Sequence, residues 1–199
     1  MGLAKQAKTL TNKQVEAVYQ YLGTTRNGLR NQVIFLLSVK AGLRAKEIAE
    51  LKWSMVTNAD SDIGMEIHLT DAASKGRAGR VIPMNRHLRE KMAELFTQEC
   101  SHHGFDLASS HVIRTERAQK TTPQAIVNMF AQWYADIGLT GCSSHSGRRT
   151  FITNAARKIS SVGGSLRDVQ ALAGHSSLAV TQRYIEGDGE ARVKVVELV

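Results

Sequence analysis

The segment from about Leu29 to Ala41 constrains this 199-residue chain most, because its centre, Val33 to Val39 (VIFLLSV), has almost no polar face. A helix that is apolar nearly all round has no side to offer water, so it belongs in the middle of a core built by other helices. Gly42 is its expected stop. The neighbouring segments supply one-faced helices to surround it. Thr11 and Gln14 fit a capping box, followed by a stripe of Val15, Val18, Tyr19 and Leu22, with Gly23 as a left-handed stop. Asn85 caps a helix carrying Leu88, Met92, Leu95 and Phe96, expected to run to about Gly104. Thr122 and Pro123 open another, with Ile126, Phe130, Trp133 and Ile137 as its buried stripe.

Residues 52–84 change character. The pieces WSMV, MEIHLT and GRVIPM are short, partly alternating and separated by turn residues, which predicts a small antiparallel sheet. Its basic hairpin tip carries Lys75, Arg77 and Arg80; an ordinary solvated hairpin fits that composition equally well. A further short strand is expected at Val112 and Ile113. The fold class is therefore mainly α with a small antiparallel β-sheet, α+β. Residues 1–10 read as a flexible basic arm, residues 11–187 as one domain, and residues 188–199 as a β-prone tail too short to stand alone, expected to dock on a neighbouring copy or else to pack on its own domain.

Lys and Arg number 26 against 18 Asp and Glu, a formal charge of +8. That excess favours a polyanionic partner, most often nucleic acid. Cys100 and Cys142 are too few for a disulfide framework, which points to a reducing compartment. Cys100, His102 and His103 cluster, and Cys142 lies three before His145, but the spacing lacks a four-ligand zinc pattern, so no metal is expected. The longest apolar run, Val33 to Leu37, is far too short to span a bilayer.

The chemistry-bearing residues concentrate between Ser143 and Tyr184. Ser143 or Ser144 caps a helix in which His145 and Arg148, three apart, share one face near the N-terminus. Ser165 opens the segment LRDVQALA, Gly174 stops it, His175 follows, and Tyr184 falls on a last helix over 177–186. Far upstream, Arg44 follows the Gly42 turn with Glu47 three residues on; alone, that pair reads as a surface ion pair.

Taken in order, the strings AGLRAKEIAELKW, SKGRAGRVIPM, HSGRRTF and LAGHSSLAVTQRYIE resemble the catalytic domain of the tyrosine recombinase (phage integrase) family, from about Leu10 to Glu186. The resemblance implies that Tyr184 attacks a scissile DNA phosphate and keeps it as a 3′-phosphotyrosyl ester. It implies that Arg44 and Arg148 clamp the non-bridging oxygens, that His145 and His175 hydrogen-bond the phosphate with one of them accepting the phenolic proton, and that Lys75 protonates the leaving 5′-oxygen. Glu47 would orient Arg44 from behind. Arg77, Arg80, Arg149 and Lys120 are then DNA-backbone or solvated cations. No cofactor, metal or ATP is implied. The partners would be double-stranded DNA and further copies of the chain, a tetramer on synapsed DNA, in the cytoplasm of a bacterium or a phage-infected cell. A type IB topoisomerase-like relaxase and a non-catalytic architectural DNA-binding protein are the alternatives.

Two features depart from the family pattern. Gly147 stands where an apolar residue is usual before Arg148, and glycine in a helix costs about 1 kcal/mol relative to alanine, so a looser helix start is expected. Only about ten residues precede the first helix, where the family often carries a second DNA-clamping domain. That resembles an isolated catalytic domain or a short single-domain recombinase, with weak, steeply salt-dependent DNA binding.

Overall fold

The computed structural model describes residues 7–73, 79–116, 118–185 and 196–197. Its helices are α1 (Asn12–Gly23), α2 (Gly28–Ala41), α3 (Ala45–Ala49), α4 (Arg86–Cys100), α5 (Pro123–Asp136), α6 (Ser144–Lys158), α7 (Leu166–Ala173) and α8 (Leu178–Gln182). Strands β1 (Glu66–Leu69) and β2 (Arg80–Pro83) form one antiparallel hairpin. The chain divides into two compact units, Met1–Phe151 and Ile152–Val199, the boundary falling within α6.

In the first unit α2 is the core, as its composition requires. Val33, Ile34, Phe35, Leu36, Leu37, Ser38, Val39 and Ala41 are all buried. Helices α1, α3 and α4 pack against it, and α5 packs on α3. Each large apolar side chain so buried contributes roughly 1.5–3 kcal/mol. The helix starts follow the local chemistry. The Thr11 hydroxyl accepts from the Gln14 amide while the Gln14 side chain accepts from the Thr11 N–H. Asn85 accepts from the Leu88 N–H, and Thr122 accepts from the Ala125 N–H ahead of Pro123.

Several local expectations give way to the packing. WSMV is not a strand: Trp53–Met55 is a single 3-10 turn that buries Trp53 and Met55 and exposes Ser54. The sheet thus has two strands, joined in the register Ile67↔Ile82 and Leu69↔Arg80. Val112 and Ile113 are buried without forming a strand; only an isolated bridge, Lys52↔His111, lies beside them. Gly23 is the last residue of α1 rather than a left-handed stop, and the Thr24 and Thr25 hydroxyls close the turn on the Tyr21 and Leu22 carbonyls. Helix α4 ends at Cys100, four residues before Gly104. At the end of the expected arm, Leu10 is buried and its N–H donates to the Thr150 hydroxyl at 2.7 Å.

Gly147 has a packing reason. A Cβ built there would lie 2.5 Å from Ser38 Oγ and 3.0 Å from Ser38 Cβ, so α6 runs against α2 closely enough that any side chain at this position would force Ser38 to shift. The glycine that was expected to loosen this helix start is what lets it seat.

The second unit begins at Ile152 in α6, passes through a 3-10 turn (Ile159–Val162) and closes with α7 packed on α8. Ser165 and Asp168 form a reciprocal capping box at the start of α7, and Gly174, in the left-handed conformation (φ 60°), ends it. Helix α8 is shorter than expected and stops at Gln182, so Tyr184 lies in the turn beyond it. The expected strand in the tail falls almost wholly outside the described residues.

Candidate active site

The first unit assembles its cations around the turn between α2 and α3. Gly42 takes φ 66°, where a Cβ would also strike the Phe151 ring at 2.5 Å. Its carbonyl accepts a hydrogen bond from the Arg148 guanidinium, which is 4% exposed. Arg44, two residues further on, sits at the N-cap position of α3 with an extended backbone (φ −79°, ψ 157°). Arg148 therefore reaches across from α6 to the same turn that presents Arg44.

Glu47 organises this turn. Its Oε2 accepts from the Arg44 N–H at 2.8 Å, and its Oε1 accepts from Arg44 Nη1 at 2.9 Å. Arg80 grips both oxygens, Nη1 to Oε1 at 2.9 Å and Nη2 to Oε2 at 3.0 Å. The Glu47 side chain is fully buried, Arg80 is 7% exposed and Arg44 22% exposed. Burial alone would push the Glu47 carboxyl up; the hydrogen bonds and charges of Arg80 and Arg44 together outweigh it and hold the group below the ordinary carboxylate range. The Arg44–Glu47 contact is thus a buried cluster, not a surface pair.

Arg80 corrects the expectation of a solvated or DNA-facing cation. Side chains two apart on a strand share a face. Arg80 shares its face with buried Ile82 and lies opposite buried Leu69 in the pairing, so it points inward. That parity was readable in the sequence; its partner, 33 residues upstream, was not.

His145 is exposed in the first turn of α6, where the Ser143 hydroxyl accepts from its N–H at 3.3 Å. Arg148 follows one turn later on the same helix. Arg149 is half-buried, and Lys120, more than half exposed, lies 3.9 Å from Glu50. Lys75 and Arg77 lie outside the described residues. No set of three or more His, Cys, Asp or Glu side chains able to hold a metal occurs among the described residues.

The second unit brings His175 and Tyr184 together. Their rings stack with centroids 5.4 Å apart and planes 22° from parallel. His175 Nδ1 lies 3.0 Å from the hydroxyl of fully buried Thr181, which fixes the direction of the ring. The His175 backbone is tied at both ends to Gln170: its N–H donates to the Gln170 carbonyl, and its carbonyl accepts from Gln170 Nε2. The Thr153 hydroxyl donates to the Tyr184 carbonyl at 3.4 Å. Thr181 was not anticipated; its only sequence signal is the three-residue spacing to Tyr184 across the end of a short helix.

A family model described as the phage integrase family matches residues 8–190. Tyrosine recombinase XerA of Thermococcus onnurineus is 31% identical over 182 residues, covering 89% of this chain and 57% of that protein. Tyrosine recombinase XerC of Pediococcus pentosaceus is 31% identical over 176 residues, covering 87% and 54%. The chain thus spans little more than half the length of these relatives. In fold, it matches the crystal structure of XerA recombinase with a TM-score of 0.73 at 20% identity, over 96% of this chain and 64% of that one. It matches XerH site-specific recombinase bound to its difH substrate with a TM-score of 0.70 at 18% identity, over 94% and 52%. With the family match running through both groups of side chains, this chain belongs to the phage integrase family.

Proposed function

We propose that this chain cleaves and rejoins double-stranded DNA at specific sites through a 3′-phosphotyrosyl intermediate. The observation that carries this reading is the His175–Tyr184 stack, with Thr181 holding the imidazole by Nδ1. A phenol is a weak nucleophile until a neighbouring base takes its proton. The Thr181 contact fixes the plane of that imidazole beside the phenol.

In the proposed reaction the Tyr184 oxygen attacks phosphorus, its proton passes to His175 or His145, and the bond to the 5′-oxygen breaks. Lys75 supplies the proton that the 5′-oxygen needs. Arg44 and Arg148 bind the non-bridging oxygens as charge builds on them; their anchorage at the α2–α3 turn supports this, because donors fixed in advance need no reorganisation as the charge develops. A 5′-hydroxyl then attacks the phosphotyrosine and releases Tyr184. These guanidinium groups take the charge-neutralising part. Arg77, Arg149 and Lys120 are assigned to the DNA backbone. Residues 11–187 form the catalytic domain, the tail from 188 docks on a neighbouring copy, and four copies act on synapsed DNA in the cytoplasm.

The test is to trap covalent protein–DNA adducts in cells, sequence the DNA and map the linked residue. The expected result is one recurrent DNA site joined to Tyr184, with no adduct from Tyr184→Phe. An adduct that survives that substitution overturns the assignment. Supercoil relaxation without recombinant products supports the relaxase, and DNA binding without any adduct supports the architectural protein.

A further inference from the structure

We infer that Arg80 is a positioning residue for DNA cleavage: by gripping Glu47 it fixes the direction in which Arg44 presents its guanidinium to the phosphate, and it does not bind DNA itself. The inference rests on the recombinase reading above and assigns a task to a cation that the chemistry of that reading leaves unused.

The geometry carries it. Arg80 commits two nitrogens of its fork to the two Glu47 oxygens, the bidentate arrangement that fixes orientation as well as distance. At 7% exposure its side chain has little surface left for a DNA phosphate. Each Glu47 oxygen accepts once from Arg80 and once from Arg44, so four donors saturate one carboxylate. The carboxylate cannot rotate toward Arg44 without breaking its bonds to Arg80. Arg44 is the most exposed of the three and is bonded to Glu47 through Nη1. Two guanidinium groups on one carboxylate leave the cluster with one surplus positive charge, and Arg44 is the member exposed enough to present it to a phosphate. The link also ties the base of the hairpin to the α2–α3 turn. Substituting Arg80 would leave Glu47 buried with half its donors, free to turn or to take up a proton. Either change moves Arg44.

The experiment uses the full chain and, as probe, a nicked duplex carrying the DNA sequence recovered joined to Tyr184. Cleavage rate at saturating DNA, the salt dependence of DNA affinity and the thermal unfolding midpoint are measured for wild type, Arg80→Met, Arg80→Lys and Arg149→Ala. For Arg80→Met the expected result is a cleavage rate lower by roughly 10–100-fold, the range seen when the residue behind a working group is removed. Its DNA affinity and salt slope stay at wild-type values, and Arg80→Lys recovers part of the rate with a single contact. Arg149→Ala is the contrast, with a salt slope shallower by about 0.9, the effect of one lost phosphate contact. An Arg80→Met rate equal to wild type overturns the inference, as does a salt slope shallower by one contact. If Arg80→Met does not fold, Arg80→Lys decides. A folded Arg80→Lys with full rate, or one whose rate loss is matched by a fall in unfolding midpoint, shows a role in stability alone. Absence of any Tyr184 adduct from wild type overturns the recombinase reading itself, an outcome distinct from an adduct formed at normal rate by both Arg80 variants.

Discussion

The turn around Arg44 and the turn around Tyr184 are held in different ways. The first is gripped by charge: four donors from two arginines converge on a buried carboxylate, and a third arginine binds the carbonyl of Gly42, which caps the buried core helix. The second is held by a ring stack, the Thr181 contact, neutral hydrogen bonds from Gln170 and Thr153 to the His175 and Tyr184 carbonyls, and the ends of two short helices. The difference suits the work each group has in the proposed reaction. Cations that stabilise developing charge gain from having no freedom, whereas a nucleophile has to travel toward phosphorus and be released again.

That contrast can be broken most directly at Glu47. Glu47→Ala leaves two arginines without their carboxylate, and removing one partner of a buried ion pair costs about 3–5 kcal/mol. Urea unfolding should show a loss of that size, and a loss no larger than that at Thr181 would erase the difference between the turns. The pH dependence sharpens the same point. A carboxyl held below its ordinary value, about 4.5 for glutamate, stabilises the fold fully above that value and loses the contribution as pH falls through the lowered one. Glu47→Gln should therefore flatten the acid limb of stability against pH. Gly147→Ala comes next: its Cβ would press on Ser38, and overpacking of this kind costs about 1–3 kcal/mol, with part of the loss recovered by adding Ser38→Ala. Thr181→Val keeps the shape and removes one hydrogen bond, so unfolding should shift by only about 1 kcal/mol while the cleavage rate falls. The smallest effect belongs to Lys120→Ala, whose exposed contact to Glu50 is worth under about 1 kcal/mol.

What the sequence disclosed was local. Caps at Thr11, Asn85, Thr122 and Ser165 are contacts between residues three apart, and the buried α2 followed from its composition. Trp53 misled because a buried–exposed–buried run of three residues fits a strand and a 3-10 turn alike. Arg44, Arg148, His175 and Tyr184 stood out as candidates from their strings, and the geometry of each turn did not. The Arg80–Glu47 contact spans 33 residues, and that between Arg148 and Gly42 spans 106. No local pattern encodes partners so distant. Gly147 was misread for the same reason, since the atom it avoids belongs to Ser38, on another helix.

The bare α-carbon at Gly147 acts as a machinist's shim of zero thickness. It lies one residue before Arg148, so the close seat of α6 over Ser38 bears directly on where that guanidinium meets the Gly42 carbonyl. Engineering that enlarges or trims the interior beneath α2 would be felt first as a misplaced arginine, well before the fold itself gave way.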